Sequence, residues 1–182
     1  QLVQNQDWNA DINLFWNDIE RLIQTDFEHA TTVNGITQYS YSNVAQAETY
    51  GVETSAEWFI TPSLNLNGAY TYTETKDKSS NNELTRRPKH IARLGMNYQL
   101  NDQWDWTVRT RYHSSEFADG QNQVKSPDWF ALDTQVDYQI SSLIGVFAGV
   151  DNLFDTQRDF SSMADYRPIA GRYTYTGLRL NW

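Results

Sequence analysis

Period-two alternation runs through nearly the whole chain with almost no helical pattern to interrupt it, and this leaves few folds open. Trp8, Ala10, Ile12, Leu14 and Trp16 alternate with Asn9, Asp11, Asn13 and Asn17, with Phe15 as the one apolar residue on the second face. The pattern returns as Tyr50–Ile60, Leu64–Tyr72, Ala92–Leu100, Trp104–Tyr112, Phe130–Ile140 and Tyr173–Trp182, while Leu143–Val150 is more uniformly apolar, with Gly145 and Gly149. Eight strands are predicted. Asp18 to Gln24, with Ile19, Leu22 and Ile23, is the one place a helical turn competes, and the alternation favours the end of the first strand.

The connections alternate in length. Thr61-Pro62-Ser63, Asn101-Asp102 and Ser141-Ser142 are short, while the stretches near residues 25–42, 75–88, 114–127 and 155–170 read as long loops. Short turns on one side and long loops on the other is the asymmetry of a transmembrane barrel. Runs of 10–14 residues suit a tilted bilayer crossing, which takes roughly 9–11 residues.

Composition agrees. Seven Trp, eleven Tyr and eight Phe stand in a chain of 182 residues whose mean hydropathy is nonetheless well below zero. Such a chain builds an apolar band on one side of a sheet more readily than a thick aliphatic core. No run approaches the ~20 apolar residues of a membrane helix. Fourteen Lys+Arg against 23 Asp+Glu give a net charge of −9, which argues against nucleic acid as a partner. With no cysteine, there is no disulfide framework, thiolate metal site or cysteine nucleophile. Gln1 opens a polar stretch with no signal-peptide pattern, so a mature chain or a piece of a larger one is expected. Asn, Asp, Arg and Glu of the second face are costly against hydrocarbon, about 2–4 kcal/mol for an Arg or Lys at the midplane. The Leu/Trp/Tyr face is therefore assigned to lipid. Trp58, Trp104, Trp106 and Tyr112 are expected in aromatic belts.

Several motifs carry a resemblance. Val150-Asp151-Asn152-Leu153-Phe154-Asp155 closes the penultimate strand, and Gly171-Arg172-Tyr173-Thr174-Tyr175 opens the last, which ends on Trp182. Upstream stand Tyr50-Gly51-Val52-Glu53, Thr85-Arg86-Arg87-Pro88-Lys89-His90 and Asp11-Ile12-Asn13 through Asp18-Ile19-Glu20. Taken in chain order from Asp11 to Trp182, they resemble the barrel of TonB-dependent outer-membrane receptors, nearest to the enterobactin, colicin I and cobalamin type. The resemblance implies an all-β antiparallel transmembrane meander of about eight strands, part of a 22-stranded barrel, with residues 1–182 as its C-terminal segment and no plug domain or TonB box. It also implies a bacterial outer-membrane location and uptake of a ferric siderophore or related chelate. The implied partners are membrane lipid, the barrel-assembly machinery, the plug and N-terminal strands, and TonB reached only through that N-terminal part. The rivals are a self-contained eight-stranded outer-membrane barrel with a structural or adhesion role, and a soluble sandwich or lipocalin-like binder.

No nucleophile–base–acid arrangement, resident metal site or cofactor motif stands out, and no enzyme is expected. Ligand contacts are expected from the outer loops, whose aromatic rings and guanidinium groups suit a planar anion. The candidates are Phe117, Phe160, Tyr166, Arg158 and Arg167, with Phe27, Tyr39 and Tyr41 nearby. Arg86, Arg87, Lys89, Arg109 and Arg111 are read first as partners of Glu53, Glu57 and Asp105, and second as a cationic surface. Asp133 and Asp137 read as wet wall, and His90 and His113 as solvated or hydrogen-bonded groups. Tyr175, Leu178, Leu180 and Trp182 resemble the terminal signal read by the assembly machinery.

Overall fold

The computed structural model describes residues 3–4, 7–158 and 167–180. Phe160, Tyr166 and Trp182 lie outside the described residues, as does the side chain of Phe27. The elements are β1 (Val3–Gln4), β2 (Trp8–Val33), β3 (Ile36–Thr61), β4 (Leu64–Asp77), β5 (His90–Gln99), β6 (Trp104–His113), β7 (Glu116–Phe117), β8 (Lys125–Ser126), β9 (Trp129–Gln139), β10 (Ile144–Asp151) and β11 (Tyr173–Leu180). One antiparallel sheet runs β1-β2-β3-β4-β5-β6-β9-β10-β11, and β7-β8 form a separate small hairpin within a loop. Apart from the two-residue β1, the sheet is the expected eight-stranded meander. Among the described residues no ladder joins β11 to β1 or β2, so the sheet is open.

Register fixes the faces, because directly opposed residues share one. A single row crosses all eight long strands: Trp8, Trp58, Leu66, Met96, Val108, Thr134, Val150 and Thr174. The adjacent row on the other face is Asn9, Glu57, Asn67, Gly95, Arg109 and Asp133. Trp104, Trp106, Leu132 and Leu180 therefore face away from Arg109 and Arg111, as the alternation predicts. Only Ala47, Leu84, Ala118 and Ala131 are buried apolar residues among those described, while Leu14 is 78% and Leu178 72% exposed. A sheet that turns its largest apolar side chains outward and its polar ones inward is built for hydrocarbon outside and a wet lumen inside.

The short turns are closed by local side-chain acceptors. Asn101 Oδ1 accepts from the N–H groups of Gln103 and Trp104 at 2.9 and 3.1 Å. Ser141 Oγ accepts from those of Leu143 and Ile144.

One expectation is overturned. Residues 25–42 are not a loop. β2 and β3 are 26 residues each and stay paired as far as Val33 and Ile36, with a register shift between Asp26 and Thr31. The chain reverses at Asn34-Gly35, whose φ values are 53° and 77°, the left-handed pair a two-residue hairpin turn requires. Backbone ladder bonds need no apolar alternation, and beyond Trp16 and Tyr50 the alternation of apolar and polar faces breaks down. Outward positions there carry Asp18, Glu20 and Glu48, and Lys78 reaches Asp18 at 2.8 Å. That carboxylate pushes the Lys78 amine above its ordinary value. The arm extends roughly 50 Å beyond Trp16 and Tyr50 at ~3.3 Å per residue.

Candidate functional site

Three connections leave the same edge of the sheet as the β2–β3 arm: residues 78–89, 114–128 and, among the described residues, 152–158 with 167–172. They interlock. Asn82 Nδ2 donates to Gly120 O at 2.7 Å. Asn122 exchanges two bonds with the Glu83 backbone, and Arg86 N donates to Phe117 O at 2.8 Å. Leu84 is buried against Ala47, Ile19 and Leu22, which anchors the first loop to the arm. Asp119 accepts from the backbone of Gln123 and Val124, shaping the β7–β8 hairpin.

Where the loops meet the lumen-side wall lies a recess of about 390 Å³ lined by Arg86, Arg87, Arg158, Arg167 and Glu116. His113 and Trp129, stacked with ring centroids 4.4 Å apart, form part of its wall. The lining carries four arginines and one carboxylate, a formal local charge of +3. Glu116 Oε1 accepts from Arg158 Nη2 at 3.4 Å and from Arg167 Nη2. The side chains of Glu116 and Arg158 are 7% and 6% exposed. A desolvated carboxylate held by two guanidinium groups is a strong, geometrically specific contact.

The structure thus brings together two of the five candidate ligand residues, Arg158 and Arg167. Phe117 lies in β7, with Lys125 Nζ 5.0 Å from its ring centroid, and is not part of the recess lining. Phe160 and Tyr166 fall on undescribed residues. Tyr39 and Tyr41 stand on β3 of the arm and are exposed. Glu116 was missed. A lone acid in a polar loop carries no period or spacing, and its partners come from a loop some 40–50 residues onward.

The expected ion pairs need correction. Arg111 pairs with Asp133 at 3.1 Å, and Lys89 with Glu74 and Glu83 at 2.9 and 2.8 Å. The Glu83 and Glu74 carboxylates hold the Lys89 amine well above its ordinary value. Glu53 and Glu57 take asparagine amides instead, from Asn13, Asn9 and Asn65. Antiparallel register explains this, since it sets Glu57 beside Asn9 and Asp133 beside Arg109 and Arg111. Asp137 pairs with Arg179 at 3.0 Å, so the Asp133/Asp137 wall is cross-linked to cations. His90 packs on Tyr72, and its Nδ1 lies 2.8 Å from Tyr70 Oη. No group of three or more His, Asp or Glu suited to a metal ion occurs among the described residues.

On β11, Leu178 and Leu180 share the lipid face with Val146 and Ile144. Tyr175 lies on the opposite face, over Gly149, with its hydroxyl donating to Gln135 Oε1 at 3.1 Å. It therefore does not belong to the outward apolar series of Leu178 and Leu180.

The chain matches the family profile "TonB dependent receptor-like, beta-barrel" over residues 2–153. It is 30% identical over 144 residues to the iron-regulated outer membrane virulence protein of Vibrio cholerae serotype O1, covering 75% of this chain and 22% of that protein. It is 29% identical over 160 residues to the vitamin B12 transporter BtuB of Photobacterium profundum, covering 88% and 25%. The chain thus spans about a quarter of the length of the curated relatives it matches. The siderophore receptor PirA from Acinetobacter baumannii superposes with a TM-score of 0.74 at 21% identity, over 96% of this chain and 30% of that one, a likeness of fold. An open eight-stranded sheet fits a sector of such a barrel, and the location is the bacterial outer membrane. The chain belongs to the TonB-dependent receptor β-barrel family.

Proposed function

We propose that the chain is the C-terminal sector of the barrel of a receptor for TonB-dependent uptake of a ferric siderophore or related metal chelate. In this reading β2–β6 and β9–β11 form the lipid-facing wall, and the inner face meets a plug contributed by the rest of the receptor. The loops at 78–89, 114–128 and 152–172 present the ligand-contacting surface. Coupling to TonB belongs to the N-terminal part of the receptor. The strand ending Leu178, Leu180 and Trp182 serves recognition by the assembly machinery.

The cationic recess carries the proposal. A recess lined by four arginines and one carboxylate suits a multiply charged oxygen-rich chelate better than a neutral or cationic one. Guanidinium forks bind such oxygens bidentately and stack on planar rings. The test is uptake of radioiron presented as ferric tris-catecholate by cells whose only iron receptor is the full-length protein. Uptake that needs both the receptor and TonB supports the reading. Uptake unaffected by deleting the receptor refutes it.

A further inference from the structure

Glu116 is the one carboxylate among the described lining residues of the recess, and it is held where an anionic ligand would sit. Its Oε1 accepts from both Arg158 and Arg167. Arg167 Nε is buried without a hydrogen-bond partner among the described residues, so this guanidinium keeps donor capacity in reserve. The carboxylate is positioned by β7, which is fixed at the next residue by the Arg86 N–H bond to Phe117 O. β7 is also paired to β8 through Glu116↔Ser126. The acid is thus held by the backbone, while its partners sit on a different loop.

We infer that Glu116 is a specificity-determining counter-anion: an incoming oxyanion-bearing ligand replaces its carboxylate on Arg158 and Arg167, and only a multiply charged one does so effectively. The chemistry is competition for the same guanidinium donors. A neutral chelate offers too little charge to displace a desolvated carboxylate. A polyanion offers several oxygens and also engages Arg86 and Arg87. The Arg158 side chain is only 6% exposed, and a buried guanidinium left without an anion is unfavourable, so the carboxylate keeps the empty recess ordered and sets a charge threshold for entry.

This inference rests on the proposed uptake function only for the identity of the cargo, and the test separates the two. Calorimetric titrations of the full-length receptor would use three probes: inorganic pyrophosphate, ferric tris-catecholate and an uncharged ferric trihydroxamate. Glu116→Gln should bind both anionic probes roughly tenfold more tightly than the parent, with the neutral probe unchanged. Glu116→Asp, which keeps the charge on a shorter stem, should return the anion affinities toward the parent. Unchanged or weaker anion binding by Glu116→Gln overturns the inference, whatever the parent's affinity for the chelate. If pyrophosphate binding tightens while no variant binds the ferric chelate, the inference stands and the proposed cargo is wrong. Equal tightening for the neutral probe would also overturn it, because that would reflect released space and not released charge.

Discussion

Asp155 Oδ1 accepts a 2.8 Å hydrogen bond from the backbone N–H of Arg172, seventeen residues along the chain. Three residues before it, Asn152 donates from Nδ2 to Thr156 O and Ala170 O and accepts the N–H of Thr156 on Oδ1, at 2.9–3.0 Å. Its own N–H reaches Asp133 Oδ1 at 2.8 Å. Asn152 and Asp155 both take φ near 50°, the left-handed region that Asn and Asp tolerate. The two sequence motifs flanking the last loop are therefore the two halves of one clasp at its base. Arg158 and Arg167, which both reach Glu116, lie within the loop it closes.

Asn152→Asp should destabilise the full-length receptor more than Asn152→Gly. Asparagine is 2% exposed, and a carboxylate there would confront two carbonyl oxygens with no donor. Glycine keeps the backbone conformation and loses only the side-chain bonds. About 1–3 kcal/mol is expected for each buried group left unpaired. Urea unfolding in lipid vesicles measures it.

Adding one methyl at Gly149 should also be costly. A Cβ there would collide with the Tyr175 ring lying over it, as one at Gly177 would with Phe147. Gly149→Ala is expected to cost about 1–3 kcal/mol. The Gly149→Ala/Tyr175→Ala double variant should lose less than the two single changes together. Additive losses would show that the ring does not need the glycine.

Neighbouring residues on β6 separate the two faces. Val108→Lys places a charge against hydrocarbon and should cost about 2–4 kcal/mol near the midplane. Thr107→Lys adds the same side chain to a wall that already carries Asp133 and Asp137, and should cost less than about 1 kcal/mol. Equal costs would contradict the assignment of lipid to the Trp106 face.

A polar replacement of Trp182 should slow assembly into liposomes by the barrel-assembly machinery, with a smaller effect on unfolding of the barrel once formed. Leu178 and Leu180 already place every second residue of the last strand on the lipid face. Equal insertion rates for variant and parent would remove the terminal residue from the signal.

The strands and their faces were legible because lipid on one side and water on the other impose a period of two. The same logic explains what was missed. In the β2–β3 arm that solvent asymmetry disappears, so residues 25–42 lost their alternation while keeping their ladder. The Asn34-Gly35 turn was the remaining signal. Arg158 and Arg167 were legible by chemistry, as guanidinium groups in an outer loop. Glu116 was not, since only tertiary packing brings the loops together. The ion pairs went astray for a related reason: strand register decides which acid meets which base, and alternation along one strand does not contain it.

The most direct measurement is the affinity of the full-length receptor for ferric tris-catecholate, compared between the parent, Arg158→Ala/Arg167→Ala and Asp133→Asn. Asp133 sits on the wall, bound to Arg111 and the Asn152 backbone, so its neutral variant should lower stability and leave affinity within about threefold, which is under 1 kcal/mol. Removing both loop arginines should weaken binding by roughly tenfold or more, given about 1.5–3 kcal/mol for a hydrogen bond to a charged group. Affinity untouched by the arginine changes and lost with Asp133→Asn would contradict the account and move the binding surface from the loops to the wall.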